Sequence, residues 1–122
     1  MARPPFSTLP ERRVPVLVVI APSKATLDAC YETMRYVAVS RIEVTGVSQA
    51  TTLVAEHRPF AIVLEEDVFA FDPREFQALG RDVGAEIVTV SGQSQHDPLI
   101  SRLLPELKAA YRRWEQRYDS LG

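Results

Sequence analysis

The chain has 122 residues, 46% hydrophobic and 25% charged, a mix that fits one globular domain and excludes a disordered or fibrous chain. Fourteen basic against sixteen acidic side chains leave a formal charge of −2, which gives no electrostatic case for nucleic acid as a partner. One cysteine, Cys30, excludes an internal disulfide and a multi-cysteine metal site; no apolar run approaches the roughly 20 residues of a membrane span and no secretory signal opens the chain, so a cytoplasmic protein without membrane insertion is expected.

Residues 1–13 hold three of the nine prolines and no periodic apolar pattern, and read as a flexible leader to one domain over 14–122. Residues 14–20 (VPVLVVI) are a continuous β-branched and leucine run, the pattern of a strand covered on both faces. Pro22 and the N-cap Ser23 open a helix of about four turns with Leu27, Cys30, Met34 and Val37 inward. Residues 41–46 (RIEVTG) alternate, as an edge strand does. Ser48 is expected to cap a short helix that Pro59 stops, and 60–64 (FAIVL) form a second continuous apolar strand. Asp72 and Pro73 make an N-cap and N1 pair for a helix with Phe76, Leu79 and Val83 inward. Residues 86–91 (EIVTVS) are a fourth strand, and Asp97-Pro98 open a last amphipathic helix over about 97–118.

Strands separated by single helices predict a parallel sheet with helices on both faces. The two most apolar strands belong inside and the alternating one at an edge, which selects the order 2-1-3-4 of a flavodoxin-like α/β fold. Only about four polar residues lie between Gly92 and the last helical pattern, so no fifth strand is expected.

VLVVIA at 16–21, PFAIVLEEDVFAFDP at 59–73 and EIVTVSG at 86–92 resemble three strands of the receiver domain of bacterial response regulators. The resemblance implies a phosphorylation site at the strand ends, built from an acidic Mg²⁺-binding pair, a phosphoacceptor aspartate, a switch hydroxyl and a lysine. Here those positions hold Ile20 and Ala21, then Glu65, then Ser91, and no lysine occurs between Gly92 and Lys108. Phosphoryl transfer rests on positioning and charge neutralisation by Mg²⁺ and a cation, so the resemblance implies a vestigial site. It points to a non-catalytic, phosphorylation-independent pseudo-receiver, a signalling interaction module with no metal or other cofactor.

Read from the residues themselves, the strand ends also suit a small-molecule-binding or enzymatic domain that uses Glu65, Asp67 and Ser91 with raised carboxylate pKa values. The Glu65-Glu66-Asp67 run reads first as a solvated loop or helix cap, then as partner-facing charge, and last as a metal site. Ser91 reads as a strand-end hydroxyl bonded to backbone, Cys30 as a buried small hydrophobe, and His57 and His96 as surface residues. Phe69 and Phe71 read as core plugs, although an exposed pair would anchor a partner. In the last helix Leu99, Leu103, Leu107, Tyr111, Trp114 and Tyr118 form an apolar-aromatic stripe interrupted by Pro105. The stripe covers the sheet or pairs with another chain. An open fourth-strand edge beside Tyr111, Trp114 and Tyr118 favours a protein partner, with a homodimer expected.

Overall fold

The computed structural model describes residues 14–121, with side chains through Arg117; the expected leader over 1–13 and the Tyr118 side chain lie outside the described residues. Strands β1 (Val16–Ile20), β2 (Arg41–Thr45), β3 (Ala61–Glu65) and β4 (Glu86–Val90) form one parallel sheet in the order β2-β1-β3-β4. Helices α1 (Lys24–Thr33), α2 (Ala50–His57), α3 (Glu66–Phe69), α4 (Pro73–Val83) and α5 (His96–Leu121) complete a flavodoxin-like α/β fold.

Successive strand residues face opposite sides of the sheet, and in β1 and β3 both sides are apolar. Leu17 and Val19 of β1, Ala61 and Val63 of β3, and Val88 and Val90 of β4 join Ala29 and Cys30 of α1 and Leu99, Leu103 and Leu107 of α5 in one core. Val16, Val18 and Ile20, with Ile62 and Leu64, meet Ala50 and Val54 of α2 and Phe76 and Leu79 of α4 in the other. The edge strand β2 is far less buried, and Val44 remains 44% exposed.

The helix starts follow local chemistry where a suitable cap exists. The Ser23 Oγ accepts from the Thr26 N–H at 3.2 Å, and Asp72 Oδ1 accepts from the Glu75 N–H at 3.3 Å with Pro73 at N1. Ser48 does not cap a helix as expected. It sits inside a 3₁₀ turn, Val47–Gln49, and α2 begins after it with no side-chain cap. α1 is shorter than its apolar spacing suggests: it ends at Thr33, and Val37 reaches the core from the turns beyond. The acidic run, read as a solvated loop or helix cap, ends β3 at Glu65 and opens the short helix α3 with Glu66 and Asp67.

The last helix is longer than expected and continues through Pro105. Proline at 105 has no N–H to donate to the Ser101 carbonyl, and both residues are exposed, so that carbonyl is open to solvent. Leu99, Leu103, Leu107 and Ala110 are buried against the chain's own sheet. Further along, Tyr111 meets the buried Phe60 edge to face and Trp114 packs on it at a tilt, with ring centroids 5.7 and 6.4 Å away. The same helix also ties down the outer strand: Arg102 Nε donates to the Thr89 carbonyl at 3.1 Å, Arg113 forks onto Glu86, and Arg117 donates to the Gly84 carbonyl at 2.6 Å.

Leu103 is fully buried at the middle of this contact. Leu103→Ala is expected to lower the unfolding free energy by about 2–5 kcal/mol in urea denaturation. Because the stripe packs in cis, the loss should not change with protein concentration.

Candidate functional site

In the order 2-1-3-4 the connections leave β1 in one direction and β3 in the other, so a crevice opens between their carboxyl ends, where open α/β sheets bind ligands. The chain places Glu65 there as the last residue of β3. By strand parity it faces the α1/α5 layer, because Ala61 and Val63 do. Opposite it, the loop after β1 turns through Ala21, held at φ 47° while its N–H donates to the Thr45 carbonyl at 2.8 Å. A left-handed alanine costs roughly 1–2 kcal/mol, which the surrounding loop must offset. This turn directs the start of α1 at Glu65.

Glu65 Oε2 accepts from the Ser23 N–H and from the Thr26 hydroxyl, each at 2.8 Å. Thr26 is fully buried, and Ser23 Oγ donates to Thr26 Oγ1 at 3.2 Å, so the two hydroxyls form a short relay behind the carboxylate. On the third side is Gly92, after β4. A Cβ there would come within 2.6 Å of Glu65 Oε1, so the carboxylate fills the room a side chain at 92 would need. Partial burial pushes the Glu65 pKa up, but the hydrogen bonds from the Ser23 N–H and the Thr26 hydroxyl outweigh it, and the net shift is down. The raised carboxylate expected at the strand ends is therefore corrected for Glu65: it is held ionised, and Oε1 accepts no hydrogen bond from a described residue.

The other candidates lie apart from this cluster. Ile20 is fully buried in the opposite core, facing α2 and α4, and Ala21 contributes only its backbone bend. Ser91 Oγ accepts from the Gln93 N–H at 3.2 Å and so shapes its own turn. Glu66 and Asp67 are exposed in the first turn of α3 and make no ion pair with a described residue. Cys30 is buried, and desolvation pushes its thiol up to about 12, which leaves it protonated and unreactive. Among the described residues, no three His, Cys, Asp or Glu side chains are grouped to hold a metal, and no helix is long and apolar enough to cross a membrane. Sequence reasoning found Glu65, placed Gly92 at the end of the fourth strand without giving it a role, and missed Thr26. Thr26 follows the N-cap by three residues, a spacing that could have suggested it.

No protein-family model matches the chain, and no curated protein matches it. Among solved structures, the chain is similar to the lactose-specific IIB component domain of the phosphoenolpyruvate:carbohydrate phosphotransferase system from Streptococcus pneumoniae. The TM-score is 0.51 at 18% identity, over 88% of this chain and 99% of that one. At that identity the likeness is one of fold. The degenerate receiver expected from the strand motifs does not stand, nor does its role as a signalling pseudo-receiver, because the matching structure belongs to a different family. The reason is physical: apolar runs of this spacing satisfy any doubly covered parallel sheet, whichever family builds it.

Because the folded pKa of Glu65 lies below the unfolded value, the stability it supplies is complete above the ordinary Glu range near 4.3. That stability is lost as pH falls through the depressed value. Glu65→Gln is expected to flatten this part of the acid denaturation profile. Thr26→Val should move the Glu65 carboxyl titration, followed by NMR, back toward the ordinary range and cost about 1–3 kcal/mol.

Proposed function

We propose that the chain is a small-molecule-binding domain whose site lies at the carboxyl ends of β1, β3 and β4, with Glu65 as its fixed hydrogen-bond acceptor. The observation that carries this reading is the Glu65 carboxylate itself, ionised at the β1–β3 crevice with Oε2 doubly bonded and Oε1 without a described donor. A ligand that brings donors completes that arrangement. Small molecules that bear hydroxyl or amine groups supply such donors.

Charge ranks the possibilities. Glu65 is ionised and is followed in sequence by Glu66 and Asp67, while Lys24, in the first turn of α1, is paired outward with Asp28 at 2.9 Å. An added phosphate would meet like charge and would have to displace Glu65 from the two donors it holds. Covalent transfer is disfavoured as well. Cys30 is sealed in the core, and a phosphoryl group on Ser23 would sit against the Glu65 carboxylate. The fold shared with a phosphotransferase component supports a ligand-handling crevice here and leaves its chemistry to these residues.

Titration with glucosamine, lactose and glucose 6-phosphate, read from the amide signals of Ser23, Thr26 and Gly92, tests the reading. Saturable shifts are expected with glucosamine, weaker ones with lactose and none with the phosphate. Glu65→Gln should weaken binding about 10-fold or more. Tightest binding of the phosphate, or gain of one phosphoryl group by mass after treatment with acetyl phosphate, would show an anion-handling site instead. No saturable shift with any of the three would end the proposal.

A further inference from the structure

The two phenylalanines after β3 have opposite fates. Phe69 stacks on the buried Phe76, with ring centroids 6.2 Å apart. Phe71, in the turn that follows α3, is 87% exposed. It borders a cleft of about 160 Å³ between the start of α2 and α4, walled by Val47, Ala50, Val68 and Leu79, with Asp72 and Glu75 on its polar side. Val47 is itself 53% exposed. Ordinary small-molecule pockets begin near ~300 Å³, so this cleft suits one inserted apolar side chain better than a whole ligand.

An exposed phenylalanine beside an open apolar cleft marks a contact surface. The charge around it is of one sign. No lysine or arginine lines the cleft, and Glu66 and Asp67, on the α3 turn beside Val68, stand exposed without an ion pair to a described residue. Arg74 is the one basic residue beside four acids in the sequence from 66 to 75. The wall is also preformed, since Asp72 caps α4 through the Glu75 N–H. We propose that this cleft docks a partner peptide that presents a bulky apolar side chain flanked by lysines or arginines. The apolar anchor fills the cleft beside Phe71, and the flanking cations meet the acidic rim. The surface belongs to the α2/α4 layer, on the other side of the sheet from the Glu65 carboxylate, and does not depend on what binds there.

The probe is a fluorescent amphipathic peptide of about 14 residues built from leucine and lysine, compared with a copy in which every lysine is glutamate. Fluorescence anisotropy at low salt is expected to show saturable binding of the lysine peptide and none of the glutamate copy. Phe71→Ala leaves every charge in place and removes only an exposed ring, so it separates docking from general attraction to an acidic protein. It should weaken binding about 10-fold or more with an unchanged thermal midpoint. Glu66→Lys with Glu75→Lys should weaken it further and reduce its salt dependence, and Glu65→Gln should leave it intact. Equal affinity of native and Phe71→Ala protein, or of the two peptides, overturns the proposal. So does a concentration-dependent dimer that Phe71→Ala abolishes, since the cleft would then be occupied by a second copy.

Discussion

Burial of β1 and β3 on both faces is the constraint from which the rest of this molecule follows. Leu17 and Val19 must be covered on one side, and Val18 and Ile20 on the other, so helices have to lie on both faces of the sheet. Right-handed crossovers can achieve this only if the chain first moves outward from β1 to β2 and then returns across it to β3 and β4. That reversal creates the crevice between β1 and β3. It also fixes which residue stands in it, because the first side chain after Leu64 that faces the α1/α5 layer is Glu65. A carboxylate at the end of a strand this apolar needs donors, and the start of α1 supplies them through Ser23 and Thr26.

The open side of the sheet shows the same economy of means. In a parallel strand, alternate residues turn their backbone groups toward the neighbour and toward solvent. The Glu86 N–H donates to the Phe60 carbonyl, so Ile87 and Thr89 present theirs at the free edge. Arg102 reaches across from α5 to the Thr89 carbonyl, and Arg113 grips the Glu86 side chain. A helix laid along the edge thus performs part of what a fifth strand would do, and its charged side chains discourage edge pairing by another chain. Tyr111 and Trp114 close the amino end of the same layer over Phe60.

How much of this could be read in advance depended on the range of the interaction. Strand order was legible because the contrast between FAIVL and RIEVT encodes two-sided against one-sided burial. The caps at Ser23 and Asp72 were legible because the donor lies three residues from the acceptor. The Ser48 cap failed because the turn tightened to 3₁₀ and moved the helix start past it. The Glu65–Thr26 bond spans 39 residues, and nothing local in either segment announces it. The family resemblance failed for the opposite reason: its evidence was strand hydrophobicity, which reports burial and says little about chemistry. The fates of Phe69 and Phe71 were likewise open until packing placed one ring on Phe76 and turned the other out.

The segment from Glu65 to Glu75 therefore joins two surfaces with different demands. Its first residue is drawn inward by hydrogen bonds from α1, and this holds the end of β3 against the opposite layer. Its last residues are fixed by the Asp72 cap on α4. Between those two anchors the chain makes one short helix and a turn, and Phe71 stands on that turn. The crevice and the cleft lie on opposite faces of the sheet, yet they share this stretch of backbone. The cap at Asp72 keeps the wall of the cleft intact whatever occupies the crevice, because α4 is held by its own first turn and by Phe76 and Leu79 in the core.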